Sequence, residues 1–149
     1  MAGLCSKSEQ STFDIRQKLR KAGLSASATE EIIDFLTDMK FLSDRRYARA
    51  VASDKVRFSA WGRLKVRAFL ASKRVSSDYI SEALDNIDEQ EYAAALDRSA
   101  RNKAASLSLL IPEERQKLYR HLMSRGFESS LVSKKVSQLV KLQREESEE

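Results

Sequence analysis

The sequence predicts an all-α protein of tandem three-helix repeats, about eight helices in an elongated, curved array. Three observations point there. Only four Gly and one Pro stand among 149 residues, so few positions force turns. Apolar residues recur at helical intervals and do not alternate. Three segments also repeat: DIRQKLRKAGLS (Asp14–Ser25), KVRAFLASKRVS (Lys65–Ser76) and KLYRHLMSRGFE (Lys117–Glu128), at offsets of 51 and 52 residues. Ile15, Val66 and Leu118 correspond, as do Leu19, Leu70 and Leu122, then Leu24, Val75 and Phe127. Each segment precedes another apolar helix, so the unit is about three helices, the last truncated to two. Stacked units of this kind bury faces that no unit buries alone.

The elements follow in order. Residues 1–11 lack periodicity and are expected to fray. A first helix reads from Thr12 to Ala22, with Ile15 and Leu19 on one face and Gly23 as a left-handed C-cap. Small hydroxyl residues and acids from Ser25 to Glu31 start a second, carrying Ile32, Ile33, Phe35, Leu36 and Met39. The third begins at Ser43-Asp44. Its expected apolar stripe is Tyr47, Ala50, Val51 and Phe58, with Arg45 and Arg49 opposite. Asp54 falls on the apolar side, where a buried pairing with an arginine is expected. A fourth helix from Trp61-Gly62 shows two stripes, Val66-Phe69-Leu70 and Trp61-Leu64-Ala68, as if held between two neighbours. Arg63, Arg67 and Arg74 line the edge between them. Further helices are expected over Ser77–Asn86, Glu89–Ser106, Pro112 to about Gly126, and Ser129–Lys141, with residues 107–111 as a connection. The division is a flexible lead-in over 1–11, repeats over 12–58, 59–106 and 107–142, and a solvated acidic tail over 143–149.

Composition narrows the function. The net charge is +5, but Phe41–Arg74 alone holds ten Lys/Arg against Asp44 and Asp54, a balance of +8 that leaves −3 elsewhere. Such a basic zone suits a polyanion or an acidic protein surface. No apolar run approaches the ~20 residues that span a bilayer. The N-terminus lacks a signal-peptide core, and a single cysteine, Cys5, cannot form an internal disulfide, so a reducing cytoplasm fits. Cys5 has no acid–base partner near it in sequence, and His121, the sole histidine, reads as an ordinary surface or boundary residue. There is no Gly-rich phosphate loop and no Cys/His set with metal spacing. Glu30-Glu31 and Glu113-Glu114 sit at helix starts, where the backbone dipole accounts for them. No catalytic residue, metal or cofactor is assigned, and the chain reads as a binding protein, not an enzyme.

The residues resemble the RecX family, regulators of the bacterial recombinase RecA, over roughly Ser6 to Leu142. An apolar pair, an acid and a basic-aromatic-Ala element of that family are matched by Phe41, Leu42, Asp44, Arg46, Tyr47 and Ala48. A basic stretch leading to an aromatic-Gly element and a basic helix is matched by Lys55, Arg57, Trp61, Gly62, Val66, Arg67 and Leu70. Arg125, Gly126 and Phe127 match a later Arg-Gly-Phe element. Two departures stand out. Arg63 occupies a place where many members have Pro, and Arg74 replaces the C-cap Gly present as Gly23 and Gly126. A left-handed Arg74 would cost on the order of 1 kcal/mol, so either that turn differs or its charge compensates.

A monomeric, cytoplasmic protein without cofactor or membrane association is expected, and the resemblance adds what the protein would do. It would bind the RecA filament on single-stranded DNA, limit its extension or promote disassembly, and so restrain recombination and the SOS response. The partner-binding residues it suggests are Arg45, Arg46, Arg49, Lys55, Arg57, Trp61, Arg63, Arg67 and Arg74. Trp61 is an anchor in that reading and a core residue between repeats in the plainer, preferred one. The rival function is direct nucleic-acid binding by a basic helical-repeat protein.

Overall fold

The computed structural model describes residues 8–148; Cys5 lies outside them. Among the described residues there are eight α-helices and no strands: α1 Thr12–Lys21, α2 Ala26–Asp38, α3 Asp44–Ser59, α4 Arg63–Ser72, α5 Ser77–Asp85, α6 Glu89–Ala104, α7 Pro112–Ser124 and α8 Ser129–Ser147. The chain forms two compact units. One comprises residues up to Ala52 together with Arg67–Asn86; the other comprises Ser53–Val66 and Ile87 onward.

The helix starts have local causes. Ser11, Ser25, Ser76 and Asp88 lie in extended backbone and accept from the N–H three residues on, capping α1, α2, α5 and α6. Pro112 opens α7, where its missing N–H costs nothing. Residues before Thr12 do not all fray: Ser11 is fully buried, and Glu9 pairs with Arg46 at 2.9 Å.

Four of the helix ends share one geometry. After α1, α2, α4 and α7, Gly23, Lys40, Arg74 and Gly126 take positive φ values of 96, 63, 58 and 94°. The next N–H in each case reaches five residues back: Leu24 to Leu19, Phe41 to Leu36, Val75 to Leu70, and Phe127 to Leu122. These are Schellman turns, and they satisfy carbonyls that the helix leaves orphaned. Arg74 is therefore left-handed, as the aligned Gly23 and Gly126 require.

The aligned apolar residues are core. Ile15, Val66 and Leu118 are each fully buried, as are Leu70, Leu122 and Phe127. In the first unit, Ile15, Leu19, Ile33, Leu36 and Leu42 form a cluster, with Leu24, Ile32 and Phe41 against it. In the second, α7 packs on both α6 and α8, around Tyr92, Leu96, Leu118, Leu122, Phe127 and Val132.

Four expectations need correction. The buried stripe of α3 is Tyr47, Ala48, Ala52 and Val56, one turn apart, and not the set with Phe58, which is 75% exposed. Asp54 is consequently exposed and has no buried arginine partner among the described residues. On α4 the Val66–Leu70 stripe is buried, but Leu64 and Ala68 face solvent, so the second stripe does not pack. Finally, α8 continues through the expected acidic tail to Ser147, and Gln143 bonds the backbone of Leu107 and Leu109.

Candidate partner-binding surface

The basic residues divide between those the fold uses and those it presents. Arg63 is used. Its guanidinium is 2.8 Å from Glu128 and 2.7 Å from Glu89, lies 3.9 Å from the centroid of the Tyr92 ring, and its side chain is only 21% exposed. Tyr92 Oη donates to Glu128 and accepts from the Arg63 N–H at 2.9 Å. Burial pushes the Tyr92 hydroxyl up in pKa and the neighbouring Glu128 adds to it. Burial alone would raise Glu128 as well, but hydrogen bonds from Tyr92 and Arg63 outweigh it and hold the carboxyl below its usual range. Placing Arg63 on an exposed edge with Arg67 and Arg74 is thus incorrect. The helical wheel could not reveal carboxylates brought in from the starts of α6 and α8.

The same place joins two sequence elements that are far apart. The first N–H groups of α4 have no intrahelical acceptor. Gly62 N–H donates to the Arg125 carbonyl at 2.7 Å and Leu64 N–H to the Gly126 carbonyl at 2.9 Å. A Cβ on Gly62 would lie 2.2 Å from the Gly126 carbonyl carbon, and one on Gly126 would lie 2.4 Å from Lys65 Cβ. Arg125 also donates to the Ser59 carbonyl at the end of α3. The aromatic-Gly and Arg-Gly-Phe elements are therefore two halves of one backbone joint, a role that their types alone do not disclose.

The presented set differs. In the first unit, Arg45 and Arg49 project from α3 with side chains 57% and 45% exposed, sharing Glu82 at 2.8 and 2.5 Å. Those two hydrogen bonds hold Glu82 below its ordinary carboxylate range. Arg46, half-buried and between Arg45 and Arg49 in sequence, is used by the fold instead: it pairs with Glu9 and also donates to the Lys40 carbonyl at 2.9 Å. Arg67 is exposed, and Arg74, just past the end of α4, lies 5.5 Å from the Phe13 ring. In the second unit, Arg57 pairs with Glu91 at 2.7 Å, and the ammonium groups of Lys55 and Lys65 lie 4.8 and 4.6 Å from the ring centroid of a half-buried Trp61. Lys65 was not singled out by sequence; its approach to Trp61 is set by the turn between α3 and α4.

Among the described residues no His, Cys, Asp and Glu group could hold a metal ion, and no helix is long and apolar enough to cross a membrane. His121 is half-buried; burial lowers its pKa, and Lys103 and Arg125 lower it further.

Among the described residues the protein is all-helical, with basic residues on helix faces, which places it in the class of proteins built from small helical modules. Residues 43–84 match the family model of the second three-helix domain of RecX, and residues 89–136 match that of the third. The chain belongs to the RecX family. A relative from Clostridium botulinum, named regulatory protein RecX, is 34% identical over 121 residues, covering 79% of this chain and 56% of that protein. Another of the same name, from Prosthecochloris aestuarii, is 31% identical over 132 residues, covering 89% of this chain and 85% of its own length. The crystal structure of RecX from Lactobacillus salivarius matches with a TM-score of 0.77 at 19% identity, over 94% of this chain and 91% of that one, a likeness of fold.

Proposed function

We propose that this protein is a non-enzymatic regulator of a RecA-type recombinase in the cytoplasm. It binds the recombinase filament on single-stranded DNA, limits filament extension and thereby restrains recombination and repair. The observation that carries this reading is membership of a family whose relatives bear the name regulatory protein RecX. Guanidinium groups directed outward from α3 and α4 support it, because a filament of protein and nucleic acid offers extended anionic surface.

In this reading Arg45, Arg49, Arg67 and Arg74 meet the partner from the first unit, and Lys55, Arg57 and Trp61 from the second. Arg46 and Arg63 hold the fold. Charge speeds and orients docking, while half-buried aromatic groups supply affinity. The test is recombinase ATP hydrolysis on single-stranded DNA with substoichiometric amounts of this protein. Inhibition below one protein per recombinase subunit is expected; unchanged hydrolysis at equimolar amounts would refute the proposal.

A further inference from the structure

The turn from α3 to α4 leaves an aromatic ring where burial would ordinarily be found. Phe58, in the last turn of α3, is 75% exposed, more than any other large apolar side chain among the described residues. Leu64, at the start of α4, is 49% exposed. Between them in sequence, Trp61 carries the Lys55 and Lys65 ammonium groups against its ring, and the Arg57 guanidinium lies 5.9 Å from the Phe58 ring centroid. From Lys55 to Lys65 the sequence holds no Asp or Glu. Glu91 is held by Arg57 at 2.7 Å.

We propose that Phe58 is a stacking platform for an unpaired base of single-stranded nucleic acid, with Lys55 and Lys65 engaging the flanking phosphates. An outward ring with the Arg57 guanidinium beside it, and a lysine-flanked Trp61 three residues on, complements the two surfaces that a single strand offers, the π-face of a base and the charged backbone. A duplex hides its base faces in the stack and cannot use the ring in this way. A protein partner fits less well, because lysines are depleted at the centres of protein interfaces, whereas here two lysines lie on the Trp61 ring, three residues beyond Phe58. The platform is also fixed before binding. Arg98 donates to the Arg57 carbonyl at 2.9 Å, and Arg125 donates to the Ser59 carbonyl, tying down the turn on both sides of the ring. A preordered site loses little conformational freedom on binding.

The experiment needs no recombinase, so its failure is distinct from failure of the filament reading. The full chain is titrated into a labelled oligo-dT of about 15 nucleotides, followed by anisotropy and by the fluorescence of Trp61, the sole tryptophan. Saturable binding that quenches Trp61 and weakens with salt is expected. Phe58→Ala should bind roughly tenfold more weakly and Phe58→Tyr within about twofold of the parent, with a matched duplex weaker than the single strand. The high exposure of Phe58 leaves folding of these variants intact, which circular dichroism verifies. Equal affinity of Phe58→Ala and the parent, or no binding by the parent, overturns the inference. Unchanged oligonucleotide affinity combined with lost recombinase inhibition would instead make the ring a protein-docking element, and overturns it too.

Discussion

Glu128 shows what one residue can do when it departs from its repeat. The aligned positions Ser25 and Ser76 cap the following helices through their hydroxyls, but Glu128 makes no side-chain cap bond. Its carboxylate goes instead to Arg63 and Tyr92. Because its pKa is held down in the folded state, Glu128 favours folding fully above the ordinary carboxylate value. That contribution is lost as pH falls through the lowered folded value. Urea midpoints measured at neutral pH and again well below the ordinary carboxylate pKa should therefore fall, and Glu128→Gln should shrink the difference. An undiminished acid loss in the variant would remove Glu128 as its source. Gly62 is the second such residue. A Cβ there would strike backbone of Gly126 and Phe127, which cannot rotate away, while Gly23 has open space around it. Gly62→Ala is expected to cost about 3 kcal/mol, against about 1 kcal/mol for the left-handed strain of Gly23→Ala. Chemical denaturation of the two variants checks the order.

At the scale of elements, the helices and their core faces were legible because period and caps agree locally. Val66 and Leu70, read from the repeat, are fully buried, and every expected helix is present. What sequence could not supply is which face wins when two are apolar. The Tyr47–Ala48–Ala52–Val56 stripe of α3 relies on small alanines, which carry a weak periodic signal beside Phe58. The site was less legible than the fold. A basic helix edge is visible on a wheel, but Glu82, Glu89 and Glu128 reach those arginines from other helices at sequence separations of 26 to 65. Arg74 sits where both scales meet. It holds a left-handed turn that Gly occupies after α1 and α7, at a strain of about 1 kcal/mol. If its charge serves the partner, Arg74→Gly should raise stability by up to about 1 kcal/mol and weaken recombinase inhibition. A variant that gains stability and inhibits as well as the parent would show that this arginine has no docking role.

Across the whole molecule, charge is the quantity that distinguishes binding from folding. The chain carries +5, with the excess concentrated between Phe41 and Arg74. Not all of that excess is available outside. Arg63 spends its charge on Glu89 and Glu128, whereas Arg67 is exposed and makes no ion pair among the described residues. Charge reversal at the two sites should accordingly have different consequences. Arg63→Glu places a third carboxylate beside two others in a half-buried site and should lower stability by about 2 kcal/mol. Arg67→Glu should leave stability within about 0.5 kcal/mol but reduce recombinase inhibition. Because exposed charges act through a screened field, the parent's inhibition should also weaken as salt rises from 50 to 200 mM, a range over which the Debye length shortens from roughly 14 to 7 Å. Arg67→Glu should show a shallower salt dependence than the parent, since one attractive charge has become repulsive. Paired denaturation and ATPase titrations at two salt concentrations measure both quantities on the same samples. Equal salt slopes for Arg67→Glu and the parent would remove Arg67 from the docking surface, and an undiminished stability of Arg63→Glu would show that its ion pairs do not hold the second unit together.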